Sequence, residues 1–132
     1  MALDLANQDR ARYGLSRLRP NALLSRAAQM HAEDMLRRNY FSHYSPEGKA
    51  ASERFAMVGG RGGAAENLLM LKDSSLVGAK IGYDRLAFFQ RGWMGSPGHR
   101  KNLLDRRYGQ FGFGIAKSGS RIYAVQLFSF SN

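Results

Sequence analysis

Three imidazoles and one carboxylate are the side chains of this 132-residue sequence best placed to do chemistry. His43 stands in Tyr40-Phe41-Ser42-His43-Tyr44-Ser45-Pro46-Glu47-Gly48, and His99 in Trp93-Met94-Gly95-Ser96-Pro97-Gly98-His99-Arg100. Both follow turn-forming residues and belong on loops or at helix starts, where functional groups concentrate. Glu66, in Ala65-Glu66-Asn67, follows the glycine-rich stretch Gly59-Gly60-Arg61-Gly62-Gly63. His31 differs. It sits between Met30 and Met35 in a helical pattern, and a lone histidine there is more often a satisfied core group than a ligand.

Two neutral imidazoles and a carboxylate suit zinc, with an incomplete protein shell leaving positions open to water. His43, His99 and Glu66 are therefore the candidate metal ligands, and the same three with Ser96 are the candidate catalytic groups. Ser42 is a second serine from which a Ser-His-Glu hydrolase could be drawn. Several other chemistries are missing from the sequence. It has no cysteine, so disulfides, thiolate zinc sites and a cysteine nucleophile are excluded. It has no His-Glu-x-x-His and no Gly-x-Ser-x-Gly. The glycine-rich stretch lacks the Lys-Ser/Thr ending of a phosphate loop, so no nucleotide or organic cofactor is expected.

The elements that must position these groups follow from patterning. Leu3 to Leu18 reads as a helix that Gly14 cuts short. Pro20 and Asn21 start a second helix, whose apolar groups recur at three- and four-residue spacing from Leu23 to Met35, with Asn39 as its stop. Ala50 to Val58 is a short helix with Phe55 and Met57 turned inward. Ala64 to Leu71 is compatible with strand or helix start. Tyr83 to Trp93 is amphipathic, with Leu86, Phe89 and Trp93 on one face, and Pro97 opens a short helix reaching Leu104. Alternation from Phe111 to Ile115 and from Ile122 to Phe128, across Lys117-Ser118-Gly119-Ser120, is a β-hairpin. Helices first and strands last indicate an α+β fold with an antiparallel sheet.

Length fits one domain over residues 1–132, and a hydrophobic content of 44% suffices for a real core. No apolar run approaches membrane-spanning length, so no transmembrane segment is expected. The net charge of +10 is spread without a dense basic run. It implies weak, salt-sensitive attraction to polyanions and no specific nucleic-acid partner. The residues after Met1 lack a basic segment and an apolar stretch. Either the protein acts in the cytoplasm, or an export signal has been removed upstream.

Taken in order, Asn7…Arg10…Gly14-Leu15, His31-Ala32-Glu33-Asp34-Met35, Tyr40-Phe41-Ser42-His43, Ser45-Pro46-Glu47-Gly48, Glu53-Arg54, Glu66-Asn67, Trp93 to Asn102, Gly112-Phe113-Gly114 and Tyr123 to Phe128 resemble the bacterial, cysteine-free branch of the CAP (SCP-like) superfamily. That superfamily holds the cysteine-rich secretory, antigen 5 and pathogenesis-related-one proteins. The resemblance runs from about Asn7 to Phe128 in one register. It implies an α-β-α sandwich with a central antiparallel sheet between helical layers, and a secreted, periplasmic or cell-envelope location. It also implies a cleft of two histidines and two acids: His43, Glu66 and His99 match three of these, and the second acid falls on Ser96. Members of the superfamily bind metal in this cleft, and others bind sterols or fatty acids elsewhere. The expectation is a monomeric, extracytoplasmic, non-catalytic binding domain with a zinc-capable cleft. The first alternative is a metal-assisted or Ser-His-Glu hydrolase. The second is a lipid- or envelope-binding module using Tyr40, Phe41 and Tyr44.

Overall fold

The computed structural model describes residues Met1–Phe130. Helix α1 (Ala2–Arg12) is followed by the two-residue strand β1 (Arg19–Pro20) and the long helix α2 (Ala22–Arg38). Then come α3 (Ala51–Met57), strand β2 (Ala65–Lys72), a 3-10 turn at Ser74–Leu76, α4 (Tyr83–Met94), α5 (Pro97–Leu103) and the hairpin β3 (Tyr108–Ser118) and β4 (Arg121–Phe130). The strands lie in the order β1-β3-β4-β2.

Two helical layers sandwich this sheet. Period-2 alternation divides the hairpin's side chains between them. Phe111, Ile122, Ala124 and Phe128 pack with Leu5 of α1, Leu86, Phe89 and Trp93 of α4, and Leu103 of α5. On the other face, Ala116, Tyr123, Val125 and Leu127 pack with Leu24, Ala28, Ala32 and Met35 of α2 and Phe55 of α3. Helix α2 lies directly on β3. A Cβ at Gly112 would come within 2.3 Å of the Leu24 backbone, and one at Gly114 within 2.4 Å of Ala28. Bare backbone is the condition for so close an approach.

The expected punctuation of α2 is present. Asn21 Oδ1 accepts from the backbone N–H of Leu23 (2.9 Å) and Leu24 (3.0 Å), and Asn39 takes the left-handed conformation at φ 58°. Helix α1 ends at Arg12, cut short by Gly14, which turns left-handed (φ 71°). Beyond it Leu18 is pinned by Asn7, which bonds both its N–H (2.7 Å) and its carbonyl (3.1 Å). Two expectations need correction. Met57 points outward at 70% exposure, since Ala51 and Phe55 are the α3 residues that face the core. The sheet is not wholly antiparallel: β1 runs parallel along the outer edge of β3, where Pro20 needs no ladder N–H.

Among the described residues, no helix is long and apolar enough to cross a membrane.

Candidate functional site

Edge strand β2 carries Glu66 on its α2/α3 face, and the carboxylate is almost wholly enclosed, with a side-chain exposure of 2%. Burying a charge requires partners, and two supply them. Arg54 of α3 grips the carboxylate with a fork, 2.8 Å to Oε2 and 3.1 Å to Oε1. His43 Nδ1–H donates to Oε1 at 2.9 Å. Burial pushes the Glu66 carboxyl up, but the hydrogen bonds from His43 and Arg54 outweigh it and hold it below the ordinary carboxylate range. The bond to Glu66 raises the His43 imidazole, against burial and the Arg54 charge.

The loop that presents His43 is tied from both sides. Arg54 also donates to the His43 carbonyl at 2.6 Å. One residue earlier, the Ser42 carbonyl accepts a 2.9 Å bond from Nε2 of His31, which is 1% exposed. Tyr40 is drawn in too: its hydroxyl donates to Asp34 at 2.5 Å, and its ring meets His31 edge-on. So the buried histidine anchors the loop that displays the exposed one.

His99 is held differently. Trp93 Nε1–H donates to the Leu68 carbonyl at 3.0 Å, fixing the end of α4 against β2. The chain then turns at Gly95-Ser96 and starts α5 at Pro97. His99 Nδ1 lies 2.9 Å from Ser96 Oγ, and its backbone carbonyl accepts from Asn67 Nδ2 at 3.1 Å. Burial lowers the His99 imidazole, and the charge of His43 lowers it further.

Asn67 is one end of a buried chain of amides. It donates to Gln126 Oε1 (3.0 Å), Gln126 donates to Gln90 Oε1 (3.0 Å), and Gln90 donates to Asp9 Oδ2 (2.9 Å). Asn102 of α5 donates to Asn67 Oδ1 at 2.9 Å. Through this chain β2, β4, α4, α5 and α1 are linked by polar groups inside an apolar layer.

These contacts set what the cluster can do. His43 has Nδ1 committed to a carboxylate, which leaves Nε2 as a lone pair. His99 has Nδ1 against a hydroxyl, and Nε2 is left in the same state when that hydroxyl accepts. Both Glu66 oxygens are engaged, Oε2 by Arg54 and Oε1 by Arg54 and His43. Accordingly, no group of three or more His, Cys, Asp or Glu side chains among the described residues is arranged to hold a metal ion. The cavity on this side, about 500 Å³ between α2, α3 and the Ser45–Lys49 turn, is lined by His31 and Arg54 but not by His43, Glu66 or His99. The His43 side chain is 56% exposed.

The model of the CAP family, described as the cysteine-rich secretory protein family, matches residues 3–128. This chain belongs to the CAP family. Its relatives include the uncharacterized protein YkwD of Bacillus subtilis, 31% identical over 119 residues, covering 89% of this chain and 42% of that protein. An extracellular protein of Bacillus anthracis containing an SCP domain superimposes with a TM-score of 0.80 at 30% identity, over 98% of this chain and 39% of the other. An outer surface protein of Borrelia burgdorferi shares the fold at 17% identity and a TM-score of 0.81, over 98% and 90% of the two chains. The CAP domain thus spans less than half the length of the YkwD and Bacillus anthracis proteins. In family terms the notable departure is Ser96, which lies beside His99 where the resemblance implies an acid.

The sequence singles out His43, Glu66 and His99 as candidates but assigns no role to Arg54, Asn67, Gln90 or Gln126. One signal was available. Gln126 shares the apolar register of Ile122, Ala124 and Phe128, and a polar residue at a core-facing position needs a buried partner.

Proposed function

We propose that this CAP domain is an extracytoplasmic binding module whose His43 and His99 imidazoles together hold a divalent metal ion, with zinc the best fit to the donors. One observation carries the reading: each Nδ1 has its own partner, Glu66 for His43 and Ser96 for His99, so the two Nε2 atoms remain for an outside ligand. Glu66 is an orienting group for His43 and is itself locked by Arg54. Bound zinc would supply a Lewis-acidic centre with positions left for water or for a partner's donor. The extracytoplasmic location draws on the Bacillus anthracis and Borrelia burgdorferi proteins, described as extracellular and outer-surface.

A hydrolase is the second reading, favoured by the 2.9 Å contact between Ser96 Oγ and His99 Nδ1. Against it, the carboxylate belongs to the other imidazole, so serine, histidine and glutamate do not form one relay. An envelope-binding role draws on Phe41 and Tyr44, which are exposed, while Tyr40 is engaged in packing.

Isothermal titration with zinc near neutral pH tests the proposal. Wild type should bind one ion. His43→Ala and His99→Ala should each weaken binding by at least about tenfold, the scale of losing one ligand contact, while their melting temperatures stay close to wild type. A His43→Ala/His99→Ala double variant that binds zinc as wild type does would overturn the metal reading. Casein cleavage abolished by Ser96→Ala would promote the hydrolase.

A further inference from the structure

On the α1/α4/α5 face, three arginines from three different helices converge. Arg12 ends α1, Arg91 lies in the last turn of α4, and Arg100 lies in α5. With Tyr13 and Asp9 they line one open cavity of about 570 Å³.

The charges there do not balance. Asp9 is the only carboxylate in the lining, its side chain is only 8% exposed, and it is already bonded to Arg12 and to Gln90. Neither Arg91 nor Arg100 is ion-paired among the described residues. Two guanidinium charges therefore face the cavity uncompensated, a local excess that attracts an anion. Aromatic faces hold them in place. Arg100 lies 5.0 Å from the centroid of the Tyr13 ring and donates to its hydroxyl at 2.5 Å, and Arg91 lies 6.0 Å from that of Phe88. Arg100 spends one N–H on the Tyr13 hydroxyl, and the other N–H groups of the two guanidiniums match the oxygens of phosphate. Arg91 also offsets the negative end of α4, but that accounts for one of the three cations only.

We infer that this pocket is a binding site for a phosphate group, with room beside it for the alcohol that the phosphate esterifies. The site shares no lining residue with the imidazole pair and does not depend on the metal reading.

The experiment titrates the whole protein with sn-glycerol 3-phosphate, and separately with inorganic phosphate, in about 0.15 M salt, where diffuse charge effects are screened. The arginine Nε–H resonances are the readout. Saturable shifts at Arg91 and Arg100 are expected. The Arg91→Gln/Arg100→Gln double variant should bind at least about tenfold more weakly, since charge-assisted contacts are lost. Arg17→Gln/Arg61→Gln removes the same charge from exposed positions elsewhere and should stay within about twofold of wild type. Melting curves check that both double variants fold. Equal affinity for the two ligands would make free phosphate the occupant, and tighter glycerol phosphate binding would make it an ester. Co-sedimentation with phosphatidylglycerol vesicles that needs Arg91 and Arg100 would place that ester in a lipid headgroup. No saturation by about 50 mM ligand, weaker than any useful affinity, would overturn the site. So would equal weakening in the two double variants.

Discussion

The two imidazoles of the site are held by opposite kinds of chemistry. Around His43 the support is ionic: a buried carboxylate, gripped by Arg54, accepts the imidazole's Nδ1–H. Around His99 it is neutral: the Ser96 hydroxyl, the Asn67 amide on the backbone carbonyl, and a chain of glutamines behind it. The carboxylate fixes the His43 tautomer and raises its affinity for a proton. The hydroxyl permits either tautomer of His99, whose proton affinity is lowered first by burial and then by His43. An imidazole pair built this way is asymmetric. One tautomer is set in advance by Glu66, and the other is left open by Ser96.

Breaking the ionic half should have the largest effect. Arg54→Ala leaves the Glu66 carboxylate enclosed with His43 as its remaining partner, and should cost about 3–5 kcal/mol by denaturant melting. A loss below about 1 kcal/mol, the range of exposed pairs, would mean that the pair is effectively solvated.

The anchor beneath it comes next. His31→Ala removes the bond to the Ser42 carbonyl and should cost about 1–3 kcal/mol. His31 also has a pH signature. Burial first, and then the Arg54 charge, lower its pKa from 6.5, outweighing Glu66, the Ser42 carbonyl and Asp34. The unfolded chain therefore takes up this proton at a higher pH than the folded one. The stability tied to neutral His31 is present above pH 6.5 and is lost as pH falls towards the lowered value. His43, with its raised pKa, contributes in the opposite sense: its stabilisation is present at low pH and lost as pH rises through the raised value. Between about pH 7 and pH 5, wild type should lose melting temperature more steeply than His31→Gln. Parallel slopes would show that His31 titrates freely.

In the neutral half the effects should be smaller. Asn67→Ala unpairs Gln126 Oε1 and the His99 carbonyl, and should cost about 1–2 kcal/mol. Ser96→Ala should cost less than about 1 kcal/mol, since one partly exposed neutral hydrogen bond is lost. If Ser96→Ala proves costlier than Asn67→Ala, the hydroxyl and not the amide chain is what holds His99.

The same division explains what could be read from sequence. His43, Glu66 and His99 stand in turn-rich or glycine-adjacent contexts, and the caps of α2 and the closing hairpin follow local rules. Arg54 is invisible by such rules, because an arginine in a short exposed-looking helix resembles any solvated cation. Its role exists only once α3 packs over β2. Gln90 lies within the amphipathic pattern of α4 beside Phe89, and only its long-range contact with Gln126 shows that it is part of the interior. Met57 misled for a related reason: a seven-residue helix is too short for periodicity to separate its two faces.

The central claim is that His43 and His99 act as a pair while His31 serves the loop. Imidazole nitrogen-15 spectra recorded during a zinc titration test it most directly. The Nε2 resonances of His43 and His99 should move together and saturate at one equivalent, the Nδ1 of His43 should remain protonated, and His31 should not respond. Coordination shifts at His31, or at only one member of the pair, would contradict the account.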